Sequence, residues 1–222
     1  MDGYKIETLE IQGYDAPVPN NYWTVGSDTL LISLPGLGYT NDMPIMFYLN
    51  ELARNRGYDA LQVNYDYRGV PRETSAEEWS TRMLADVLPV IDAALARVDY
   101  RHVILAGKSI GTRVMATLLA RGFDKATAYI WLTPLFVAEP VKQAAMNNSP
   151  SVAVFGDADY AVANVNLAEI AQAGVRIVVQ PEGDHGMMVP GNVPQSIADL
   201  ANAMKELDDW LGQVVVTTGD TE

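Results

Sequence analysis

From residue 28 onward, short apolar runs alternate with longer amphipathic stretches, and this alternation limits the chain more than any other feature of its sequence. The runs at 29–34, 60–65, 103–106, 128–132, 152–155 and 175–179 are rich in Val, Ile and Leu, as strands buried on both faces are. Between them, 75–97 places Trp79, Met83, Val87, Ile91 and Leu95 at steps of four, one face of a helix. Pro89 lies inside that stretch and predicts a kink or a split. The stretch 110–121 repeats Ile110, Val114 and Leu118 before a stop at Gly122. The stretch 193–211 carries Ile197, Leu200, Met204, Leu207 and Leu211, with Pro194 suited to a first turn. The first 27 residues alternate less cleanly and predict edge or antiparallel strands, and the tail 212–222 is expected to fray. Strands that alternate with helices predict an α/β fold around a mostly parallel sheet. With no repeat, low-complexity block or long linker in 222 residues, one domain over 1–222 is expected.

Charge and composition remove several kinds of function. Fifteen basic against 28 acidic residues leave a formal charge of -13 and a pI near 4.4, a field that repels phosphate backbones and anionic bilayers. Neither nucleic acid nor membrane is therefore expected as a partner. The absence of cysteine removes disulfides, thiolate nucleophiles and cysteine zinc sites. No apolar stretch approaches the length of a membrane span, and the opening Met-Asp-Gly-Tyr-Lys-Ile-Glu has neither a basic nor an apolar leader region, so the expected location is cytoplasmic. Only His102 and His185 are available as an imidazole base.

Gly107-Lys108-Ser109-Ile110-Gly111 is a G-x-S-x-G pentapeptide, which roughly one chain in fifteen of this length would contain by accident. Its setting is far more restrictive, because it follows the apolar run 103–106 and opens the amphipathic stretch 110–121. Such a strand–turn–helix junction holds a serine at a helix N-terminus, where free N–H groups favour developing negative charge. A serine nucleophile needs a base, and the base needs an orienting carboxylate. His185 lies in the polar loop after the last apolar run, and Asp157 and Asp159 lie in the acidic turn after the run before it. Both loops leave the carboxyl ends of adjacent strands, where α/β sheets bind ligands, and spacing leaves the choice between the two aspartates open. His102 precedes the strand that leads to Ser109 and is expected on the surface at the far end of the sheet. The loop Leu34-Pro35-Gly36-Leu37-Gly38-Tyr39 can supply the Leu37 N–H as an oxyanion donor beside the N–H of Ile110. A divalent cation held by Asp157, Asp159, Glu182, Asp184 and His185 is a competing reading of the acidic loops.

These segments, with Asp66-Tyr67-Arg68-Gly69, Gly-Asp-Ala-Asp at 156–159 and Gly-Asp-His at 183–185, resemble the α/β-hydrolase superfamily over residues 28–211. The nearest likeness is to its small lidless bacterial members, similar to the dienelactone-hydrolase-like esterases. The resemblance implies a sheet of about eight mostly parallel strands with helices on both faces. It implies Ser109 as nucleophile, His185 as general base and, as the last residue of the acid turn, Asp159 as the triad acid with Asp157 the alternative. It implies cleavage of carboxylic esters through an acyl-enzyme, with no metal or other cofactor and a small acyl compound as partner. Pro35 stands where many members carry histidine. The short interval between Thr133 and Pro150 leaves room for one short helix and no cap domain. An open pocket favouring small or short-chain acyl groups follows, with Tyr39, Met43, Tyr65, Tyr67, Leu135 and Met187 as candidate lining and Lys108 and Arg68 as local cations. Thioester, lactone and amide cleavage, or a binding module that never reacts, are the alternatives. Oligomeric state stays open, with the end strand and Val214-Val215-Val216 as possible pairing edges.

Overall fold

A computed structural model of the chain describes residues 3–71 and 73–217, and its backbone is built on one eight-stranded sheet. The strands are β1 (Lys5–Glu7), β2 (Asn20–Thr24), β3 (Thr29–Leu34), β4 (Asp59–Val63), β5 (His102–Lys108), β6 (Ala128–Leu132), β7 (Ser151–Gly156) and β8 (Val175–Gln180). They lie in the order β1-β2-β4-β3-β5-β6-β7-β8. β1 pairs antiparallel with β2 and β2 with β4, as the less regular N-terminal alternation predicts, and all other pairs are parallel. The helices are α1 (Pro44–Asn55), α2 (Ala76–Leu95), α3 (Ile110–Ala120), α4 (Glu139–Asn147), α5 (Leu167–Gln172) and α6 (Val193–Thr217).

The period-2 geometry of each central strand divides the interior into two layers. Leu30, Ile32 and Leu34 of β3, Val103 and Leu105 of β5, and Tyr129 and Trp131 of β6 pack with α2, α3, α4 and α5. Their neighbours Leu31, Ile104, Ala128, Ile130 and Leu132 point the other way and pack against α1 and α6. Both faces of the sheet are thus covered, which is why its strands read as continuous apolar runs.

Five expectations change. α2 is not split at Pro89, which sits on the exposed side where the carbonyl left without a donor can take water. Ile197 is 63% exposed and lies off the buried stripe of α6, which runs through Met204, Leu207 and Leu211. α6 continues to Thr217, so residues 212–217 are helical, and of the expected tail 218–222 fall outside the described residues. Val214 and Val215 pack on the α1/α6 core layer and are not a strand edge, and Val216 lies in the same helix. Burial there outweighs the modest helix propensity of valine. His102 is buried at the start of β5, not on the surface, though it does stand at the opposite end of that strand from Ser109. α4 is the only helix between β6 and β7, with no cap inserted there.

Leu207→Ala, which empties a fully buried position of α6, is expected to lower the unfolding free energy in urea by about 2–5 kcal/mol. Ile197→Ala on the same helix should change it by no more than about 0.5 kcal/mol.

Candidate active site

β5 ends at Lys108, and the chain turns through Ser109 directly into α3. Ser109 takes φ 51 and ψ -114, a conformation that costs a non-glycine residue about 1–3 kcal/mol. Surrounding bonds hold it there. Its N–H donates to the Leu132 carbonyl at 3.0 Å, and its own carbonyl accepts from the Thr112 N–H at 2.9 Å and the Thr112 hydroxyl at 2.6 Å. Both glycines of the pentapeptide are required by space. A Cβ on Gly111 would stand 2.1 Å from the Leu34 carbonyl oxygen, and one on Gly107 would stand 2.6 Å from that of Gly111. The turn can therefore be this tight only where side chains are absent.

The acid turn and the histidine loop meet through a similar approach of bare backbone. A Cβ on Gly156 would lie 1.9 Å from the Gly183 carbonyl oxygen, which itself accepts from the Ala158 N–H at 3.1 Å. The two candidate acids divide at this junction. The Asp157 carboxylate accepts from the Glu182 N–H at 2.6 Å and so ties one loop to the other. Asp159 is buried, accepts from the Ala161 N–H at 2.8 Å, and places its two oxygens 2.8 and 2.9 Å from Nδ1 of His185. Nε2 of the same imidazole is 2.8 Å from Oγ of Ser109. A carboxylate at Nδ1 favours the tautomer protonated there, leaving Nε2 to accept the serine proton. Asp184 turns back on its own loop and accepts from the N–H groups of Gly186 and Met188. Among the described residues, the five side chains considered for a cation do not converge as a ligand set.

The loop after β3 closes over the serine. Gly36 and Tyr39 exchange both backbone hydrogen bonds, at 2.9 and 3.2 Å, so the Leu37 N–H is not used in the turn. A Cβ on Gly36 would meet Cβ of Ser109 at 3.5 Å, which sets this loop directly against the elbow. The N–H of Ile110 lies in the first turn of α3, where helical donors have no intrahelical acceptor.

The expected lining residues fare unevenly. Met43 is partly exposed beside the start of α1, and Leu135 is half-buried, its N–H donating to the Thr112 hydroxyl at 3.2 Å. Tyr65 lines a cavity of about 190 Å³ beside Pro35 and Gly36, and its hydroxyl donates to the Pro35 carbonyl. Tyr67, stacked on Tyr65, lines a neighbouring cavity of about 200 Å³ with Asp15 and Pro17, and Met187 is packed in the α1/α6 core layer and forms no open wall. Tyr39 also serves the interior, its hydroxyl accepting from the Ile45 N–H. Sequence reasoning missed Tyr160, which is 65% exposed with its ring centroid 4.7 Å from that of His185. It also missed Thr112 and Thr133, whose hydroxyls tie loops together; only their places just after the serine and at the end of β6 hinted at this.

Neither expected local cation is free at the mouth of the site. Arg68 is engaged by Asp66 through both carboxylate oxygens. Lys108 is buried, with burial pulling its pKa down to about 8 against the smaller upward pull of Asp159 and Asp184. A folded value below the ordinary 10.5 means that the charged form opposes folding. The penalty, about 3 kcal/mol at neutral pH, is relieved as pH rises from about 8 toward 10.5.

No family model matches the chain, nor does any curated protein. Many solved structures do match its fold. An α/β serine hydrolase homologue from Coxiella burnetii is similar at 19% identity and a TM-score of 0.69, over 92% of this chain and 97% of that one. A dienelactone hydrolase from Anabaena variabilis is similar at 14% identity and a TM-score of 0.69, over 96% and 99%. A serine hydrolase without a lid from Xanthomonas campestris is similar at 16% identity and a TM-score of 0.64, over 93% and 94%. The chain has the α/β-hydrolase fold. No helix among the described residues is long and apolar enough to cross a membrane.

Gly156→Ala should push the acid turn and the histidine loop apart. The expected result is a lower melting temperature with faster amide exchange in both loops than in α2, read by hydrogen-exchange mass spectrometry.

Proposed function

We propose that this chain is a serine hydrolase that cleaves small or short-chain carboxylic esters. The observation that carries the reading is a single imidazole, His185, within 2.8 Å of both the Ser109 hydroxyl and the Asp159 carboxylate. His185 takes the proton from Ser109 as its oxygen adds to the ester carbonyl, and the N–H groups of Leu37 and Ile110 receive the oxyanion. The tetrahedral adduct collapses, the alcohol leaves with the proton from His185, and an acyl-serine remains. Water, deprotonated by His185, then releases the acid and restores the serine. Asp159 keeps the proton on Nδ1 and stabilises the imidazolium. Asp157 has a different task, holding the histidine loop through the Glu182 N–H.

Three features support a small, apolar acyl group. No cap is inserted between β6 and β7, and Leu37, in the loop set against Ser109, and Tyr160, beside His185, are more than half exposed. The fold is shared with a dienelactone hydrolase and with a serine hydrolase without a lid. The same machinery can act on thioesters, lactones or amides, and matched substrates of each kind distinguish them.

A fluorophosphonate is expected to add once to the purified protein by intact mass and not to Ser109→Ala. No adduct on the folded chain would sink the proposal in favour of a binding role. Asp159→Asn should reduce ester turnover by about 10⁴-fold. Asp157→Asn, which keeps an acceptor for the Glu182 N–H, should stay within about threefold of the original chain.

A further inference from the structure

Lys108 is buried to 2% exposure in the interior, and the acyl-transfer scheme makes no use of it. The alternation of β5 carries it to the same side as Ile104 and Ala106, beneath the loops that surround Ser109. Its Nζ donates to the Thr133 hydroxyl at 3.0 Å and to the backbone carbonyl of His185 at 3.1 Å, and lies 4.3 Å from the centroid of the Tyr39 ring. Three different segments thus meet the ammonium: the end of β6 and the histidine loop each accept one of its hydrogens, and the loop after β3 faces it with an aromatic ring.

We infer that Lys108 is a positioning residue for His185: its ammonium anchors the His185 carbonyl to Thr133 and Tyr39 and so holds the imidazole in line between Asp159 and Ser109. This rests on the hydrolase reading for its kinetic consequences, but not for the geometry itself. An apolar side chain would fill the same interior position, so the cation is not needed for packing. Its contacts are to neutral oxygens and a π face, with the carboxylates of Asp159 and Asp184 acting on it from the adjoining loops. Loss of the proton turns two charge-assisted hydrogen bonds into weaker neutral ones and removes the cation from the Tyr39 ring. Alkaline pH therefore loosens the anchor while Asp159, His185 and Ser109 remain intact.

The test combines kinetics with a spectroscopic readout on the full chain. Lys108→Met is expected to keep its circular dichroism and to lose 10- to 100-fold in kcat, the scale of a displacement of about 1 Å, with KM changed less than about twofold. In the original chain the fluorophosphonate rate should fall as pH rises through about 8, and this decline should be missing in Lys108→Met. With only two histidines, the Nδ1 proton of His185 bonded to Asp159 is readily assigned by proton NMR, downfield of the amides. It should persist in Ser109→Ala and broaden or vanish in Lys108→Met. A Met variant within threefold of the original kcat, or with an unchanged imidazole resonance, overturns the inference. If that variant fails to fold, Thr133→Val, which removes one acceptor of the ammonium, decides: a kcat within threefold and an unchanged imidazole resonance overturn the inference, and a lower kcat with a broadened resonance upholds it. A chain whose imidazole resonance depends on Lys108 but which takes no fluorophosphonate at any pH overturns the hydrolase proposal and leaves the positioning role standing.

Discussion

Close approach of bare backbone at the carboxyl ends of the strands is the constraint on which the candidate site depends. Gly111 lies against the Leu34 carbonyl, Gly107 against Gly111, and Gly156 against Gly183, each nearer than any side chain would allow. Because β3, β5 and β7 are held in parallel register by the rest of the sheet, these contacts fix where the serine, acid and histidine loops begin. The hydrogen bonds among Ser109, His185 and Asp159 are then formed between groups that are already close. The strained backbone of Ser109 belongs to the same arrangement, since the Leu132 carbonyl and Thr112 oppose its relaxation.

Much of this is legible in the sequence because strands covered on both faces need unbroken apolar runs. The run 29–34 coincides with β3 and 128–132 with β6, and 152–155 lies within β7. Helices were harder to see wherever the periodicity is blurred. In α1, buried Ile45, Met46 and Leu49 alternate with the exposed Phe47 and Tyr48, so no clean stripe marks the helix. α5 has only six residues, too few to show a period. The valines near the end of α6 look like a strand, and only packing against the α1 side reveals the helix.

Within the site, residue type and order point to the serine and the histidine, but direction is a tertiary property. Asp157 and Asp159 stand in one turn and are equivalent by spacing. They differ because one meets the Glu182 N–H and the other the imidazole. Lys108 is next to the serine in the chain, which suggests an exposed charge, whereas the alternation of β5 turns it inward. Met187 is two residues from His185 and still belongs to the core, because the chain at Met187 has φ 62 and turns it down onto α6. Glycine contacts are also invisible at this level, since a sequence shows that a side chain is absent but not what occupies its place.

The order of the elements has a consequence for the nascent chain. The Ser109 turn, the loop after β3 and the turn holding Asp159 all precede residue 160, whereas His185 is followed by α6, whose first turn is bonded to the histidine loop through Ser196 and Val189. α6 also supplies Leu207, Trp210 and Leu211 to the layer beneath β5 and β6. During synthesis, where folding proceeds from the N-terminal side, the imidazole cannot be seated until this long helix has left the ribosome and docked. On a ribosome-bound chain Ser109 would therefore stand without its imidazole neighbour, and the Ser109–His185–Asp159 hydrogen bonds would form as a late event of translation.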